Sequence, residues 1–180
     1  WVHVDGAFGL FAAASPTTRQ LTDGLESADS WGTDGHKWLN TPHDCGFAIV
    51  ADPDLHALVM SYQASYLTGA SRTSGMGAHT PASSRRARGF PVWAALRELG
   101  RDGVAALIES NCRLARRFAH DLASAGMEIG NDVVLNQVLV SYGADEVTDA
   151  VIAGVQAGGV CWMGGTTWRG RRWMRISVAN

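Results

Sequence analysis

Two short stretches, residues 1–5 and 29–33, constrain this chain more than any other feature, the first an apolar alternating run. The first reads as a buried strand ending in Asp5-Gly6-Ala7, the second as a short strand followed by Asp34-Gly35. Between them Ser15-Pro16 reads as a helix start, Ser15 as N-cap and Pro16 at N1, with a short helix to about Leu25. Strand, helix and strand in so little chain make a βαβ unit, so the two strands should run parallel. Ligands of open α/β sheets bind beyond the carboxyl ends of the strands. Asp5 and the segment Thr33–Lys37 would then share one sheet edge.

Lys37, in that segment, is the only lysine among 180 residues; the other fourteen formal cations are arginine. A chain this biased toward arginine keeps a lysine where a deprotonatable amine is needed, because lysine forms a Schiff base with a carbonyl and arginine does not. The plain alternative is a solvated lysine, although His36 before it and Trp38-Leu39 after it make an unusual setting for one.

Further along, 45–50 is a continuous apolar run and a third strand, and Asp52-Pro53 opens a brief helix through Val59. Residues 61–84 are rich in Ser, Thr and Gly and read as a long loop. A helical pattern resumes at Arg85 and breaks at Gly100 and Gly103. Asp102 then caps a second helix with apolar positions at Val104, Leu107, Ile108, Ala115, Phe118 and Leu122, ended by Gly126. The remainder reads as strand 134–142, helix 146–156, and strands 160–163 and 173–178 around a turn at Gly164-Gly165, a small α+β domain. The domain boundary falls along the helix 102–125. Both ends read as cut, Trp1 lying inside an alternating run and Asn180 just past a strand, so the chain is expected to be part of a longer protein.

A net charge of −2 makes no case for nucleic acid or anionic membrane as partner. No apolar run reaches membrane-spanning length and no signal peptide is visible. Cys45, Cys112 and Cys161 fit free thiols in a reducing cytoplasm. His3, His36, His43 and Cys45 lack zinc spacing, so no metal is expected. Arg85-Arg86-Ala87-Arg88 opposes the helix dipole as a helix start, and anion or subunit contacts would explain it better.

Asp5, Ala7, His36 and Lys37 together supply what a pyridoxal phosphate enzyme needs: an amine for the aldehyde, a carboxylate for the ring nitrogen, a small residue for the ring face, and a histidine near the imine or phosphate. The runs His3-Val4-Asp5-Gly6-Ala7-Phe8-Gly9, Ala28-Asp29-Ser30, His36-Lys37-Trp38-Leu39, Asp44-Cys45-Gly46 and Ser84-Arg85-Arg86-Ala87-Arg88 resemble the group II pyridoxal-phosphate-dependent amino acid decarboxylases, the glutamate and aromatic amino acid decarboxylases among them. The resemblance implies an α/β fold, the aspartate aminotransferase (fold type I) architecture. Residues 1–101 would be the C-terminal part of the cofactor-binding large domain, 102–125 an interdomain helix, and 126–180 a truncated small α+β domain. It implies a cytoplasmic homodimer that releases CO2 from an amino acid through a Lys37 Schiff base, with Asp5, Ala7 and His36 also at the cofactor. Asp34 would lie near it too. Arg175 would bind the substrate carboxylate; a solvated strand residue explains it equally. The phosphate-binding turn and the ring-stacking residue would lie before Trp1. Relatives carry a proton-donating tyrosine in the long loop. The register puts Met76 there, with Tyr62 and Tyr66 earlier and His79 as a substitute acid. An aldehyde synthase, an aminotransferase or a non-catalytic fragment keeping only the fold are the alternatives.

Overall fold

The computed structural model describes residues 1–61, 77, 79–82 and 84–179. Among these residues seven strands form two sheets. In the first, β1 (His3–Asp5), β2 (Ser30–Asp34) and β3 (Gly46–Val50) lie in that order. β1 and β2 are parallel, with His3 opposite Ser30 and Asp5 opposite Gly32. β3 returns antiparallel to β2, Asp34 facing Gly46. The expected parallel pair is therefore present, and its carboxyl ends point the same way.

The connection between them differs from expectation. Three short 3-10 segments (Gly9–Ala14, Arg19–Thr22, Leu25–Ser27) replace one α-helix. Ser15 Oγ accepts from the Thr17 amide at 3.1 Å and donates to Glu109 at 2.6 Å, so it closes a local turn instead of capping a helix. Thr17, Thr18 and Thr22 are β-branched, and Gly24 sits at φ 88°; both features disfavour continuous α-helix.

α1 (Pro53–Met60) starts as read: Asp52 accepts from the Leu55 amide at 2.9 Å, and Pro53 occupies the first turn. Most of the long loop, with Tyr62, Tyr66 and Met76, lies outside the described residues. α2 (Gly89–Ser124) begins four residues later than expected, and the arginine run precedes it. Its regular geometry breaks at Gly100 (φ 62°, ψ −174°), while Gly103 is helical. Gly126, at φ 87°, ends it: the Met127 amide reaches Leu122 O and the Gly126 amide reaches Ala123 O, the paired bonds of a Schellman cap.

The second sheet is antiparallel, in the order β4 (Glu128–Ile129), β5 (Gln137–Ser141), β7 (Arg171–Ser177), β6 (Gly164–Trp168). α3 (Asp145–Gly158) precedes β6. The turn expected at Gly164-Gly165 is instead strand. The chain reverses at Arg169-Gly170, where φ values of 51° and 75° form a two-residue loop joining the facing pair Trp168 and Arg171. Ala115, Val138, Val140, Ile152, Met174 and Ile176 make the core here. Phe118, expected on the same helix face, is instead 40 % exposed.

By contact density the chain divides into two compact units. Trp1–Leu10 with Thr22–Glu98 forms one, holding the first sheet and α1; Phe11–Leu21 with Leu99–Asn180 forms the other, holding the second sheet and α3.

Candidate active site

At the carboxyl edge of the β1–β2 pair, Asp5 is exposed and its Oδ1 accepts from the Ala7 amide at 3.2 Å. Its other oxygen has no partner among the described residues. Gly6 comes next, in a close approach. Its amide donates to Gly32 O at 2.8 Å, and a Cβ there would stand 2.7 Å from Leu10 Cβ. Only glycine lets the chain leave β1 in this direction while Asp5 stays at the edge.

Beyond β2 the chain folds into a compact turn over 35–39. Gly35 lies inside it: an added Cβ would meet Phe47, Thr41 Oγ1 and Cys45 Sγ at 3.0–3.2 Å. Lys37 Nζ sits 2.7 Å from Asp34 Oδ2 and 4.7 Å from the centre of the Phe8 ring. Both charged side chains are mostly covered, 29 % and 28 % exposed. His36 Nε2 lies 3.9 Å from the same Asp34 oxygen. On its other side the Cys45 amide donates to His36 Nδ1 at 3.1 Å, and the ring lies tilted against that of His43, with centroids 4.4 Å apart. Trp38, within this turn, is fully buried. Thr33 Oγ1, Trp38 Nε1 and Thr41 Oγ1 are buried without a partner among the described residues.

The arginine run clamps His43 and Asp44, on the segment that leads from the lysine turn into β3. Arg88 binds Asp44 through two bonds, Nε–Oδ1 at 3.0 Å and Nη2–Oδ2 at 2.8 Å, and Arg86 adds contacts to Asp44 Oδ1 and His43 O. The Arg88 guanidinium holds the Asp44 carboxyl well below the usual carboxylate range. These arginines thus tie that segment to the start of α2.

Asp5, Ala7, His36 and Lys37 accordingly fall in one unit, on one sheet edge and its following turn. Arg175 lies in the other unit, exposed on β7 opposite Leu139 and Gly164. His79 is exposed and stands 5.6 Å from the His56 ring. Among the described residues no group of three His, Cys, Asp or Glu could hold a metal ion. Phe8 was not singled out in the sequence; its place directly after Ala7 was the available signal.

The donor set fits pyridoxal phosphate: one amine for the aldehyde carbon, and one carboxylate with an uncommitted oxygen at the same edge for the ring nitrogen. The fold is the α/β architecture of fold type I pyridoxal phosphate proteins. The Oryza sativa TDC solved with PLP and tryptamine superimposes with a TM-score of 0.89 at 25% identity, covering 99% of this chain and 40% of that one. The chain belongs to the pyridoxal-dependent decarboxylase family, whose conserved domain matches residues 1–142.

Among its relatives, phenylacetaldehyde synthase of Arabidopsis thaliana is 31% identical over 122 residues, 66% of this chain and 25% of that protein. Tyrosine/DOPA decarboxylase 2 of Papaver somniferum is 33% identical over 122 residues, 66% of this chain and 23% of that protein. The chain spans about a quarter of these relatives' length.

Proposed function

We propose that this chain carries the cofactor-bonding lysine of a pyridoxal-phosphate-dependent enzyme that removes CO2 from an amino acid and releases the amine. The observation that supports it most is the position of Lys37, the sole lysine, on the turn beyond β2 at the sheet edge that also holds Asp5. When bound, pyridoxal phosphate supplies the electron sink that accepts the pair left behind as CO2 departs. Lys37 would hold the cofactor through its side-chain amine. Asp5 would pair with the ring nitrogen and hold a proton there. Ala7 packs on the ring face, and His36, fixed by the Cys45 main chain, lies beside the lysine. The assembled protein is a cytoplasmic homodimer; a substrate amino acid is its small-molecule partner, with no nucleic acid or membrane involved.

A second reading, an aldehyde synthase, draws support from the likeness to the Arabidopsis phenylacetaldehyde synthase. Product analysis on the complete protein separates the two. Equal amounts of CO2 and amine are expected. Aldehyde in place of amine would establish the synthase, and no CO2 from any aromatic or acidic amino acid would end both readings. Asp5→Asn should slow the reaction by about a hundredfold or more, the scale of losing one preorganised electrostatic partner.

A further inference from the structure

The Asp34–Lys37 pair stands apart from an ordinary surface ion pair. Both partners are largely covered, and the lysine is the only one in the chain. The ammonium is enclosed from two sides, by a carboxylate oxygen at 2.7 Å and by an aromatic face at 4.7 Å. Carboxylate and ring face are the two groups that recognise an ammonium. They come from different parts of the chain: Asp34 ends β2, and Phe8 lies just past the β1 turn. Asp34 is fixed at its strand end by pairing with Gly46, and His36 Nε2, 3.9 Å away, faces the same oxygen.

We propose that Asp34 and Phe8 form a receptor for the released Lys37 ammonium, occupied whenever the lysine nitrogen is not bonded to cofactor. This rests on the reading of Lys37 as the cofactor-bonding residue. Exchange of amines at the cofactor carbon breaks the bond to the lysine nitrogen and forms one to the substrate nitrogen. The incoming ammonium gives up a proton, and the departing lysine carries one away, so charge and protons balance. The departing group is then a cation in a partly covered site, and it needs a counter-charge within reach. Asp34 provides it within the same turn, and Phe8 keeps the ammonium beside the sheet edge where it must later return. Asp34 is thus a positioning residue acting on the lysine.

Amine modification followed by peptide mapping isolates the peptide that carries Lys37 and reads its labelling separately from that of other amines. The complete protein, stripped of cofactor, is treated with an amine-acylating reagent at neutral pH, and the labelling rate at Lys37 is compared in wild type, Asp34→Asn and Asp34→Glu. Removing the carboxylate should raise the rate about fivefold, the scale of one partly screened ion pair, with Asp34→Glu close to wild type. Equal rates in wild type and Asp34→Asn, with both proteins folded by circular dichroism, would overturn the receptor. Borohydride reduction of wild type with pyridoxal phosphate separates the two ideas. A pyridoxyl group on Lys37 with no Asp34 effect refutes the receptor alone, whereas no such group refutes the lysine assignment on which the receptor depends.

Discussion

Asp44 shows how one side chain stabilises the surroundings of the lysine turn. Its carboxylate takes two bonds from Arg88 and one from Arg86, and Arg88 holds its pKa well down. A carboxyl depressed on folding stabilises the native state above its unfolded pKa, near 3.9. That contribution fades as pH falls from there through the lower folded value. The difference in melting temperature between wild type and Asp44→Asn should therefore be constant from about pH 5 to 8 and shrink below about pH 4. A difference that grows on acidification would show that Asp44 is not the group held by Arg88. The same arithmetic applies on a smaller patch of β4, where Arg171 lowers the pKa of Glu128 through a bidentate contact at 2.8 Å.

At the scale of elements, turns decide what patterns alone leave open. Arg169 and Gly170 both occupy the left-handed region, and their two-residue loop fixes the register of β6 on β7. Gly170→Ala should destabilise the protein by about 1 kcal/mol, measured by denaturant unfolding, because an L side chain is strained there. No loss would mean that the turn relaxes freely. β1, β3, α1 and α3 were legible in the sequence because apolar positions and recognisable ends coincide, as at Asp52-Pro53, and β2 because it completes a βαβ unit with β1. β6 was not, since Gly164-Gly165 signals a turn and the β-propensity of Thr166, Thr167 and Trp168 was outweighed. The 3-10 path after Ser15 was hidden for another reason: the bond from Ser15 to Glu109 spans 94 residues and leaves no local trace. The site divides in the same way. Lys37 stood out through composition and Asp5 through its strand end, whereas the ring of Phe8 beneath the amine arises only once β1 and β2 are paired.

On the scale of the whole molecule, two compact units each carry their own sheet, and no described helix is long and apolar enough to cross a membrane. In the first unit Leu58 and Val59 of α1 and Phe90 and Trp93 of α2 remain 57–74 % exposed. Apolar surface of this kind is usually covered in an assembled protein. The account turns on the nitrogen of Lys37, and one measurement addresses it directly. The complete protein is incubated with pyridoxal phosphate, reduced with borohydride, digested and mapped. A pyridoxyl group on Lys37, absent in Lys37→Arg, is the predicted result. A pyridoxyl group on any other residue, or none at all with cofactor bound, would contradict it.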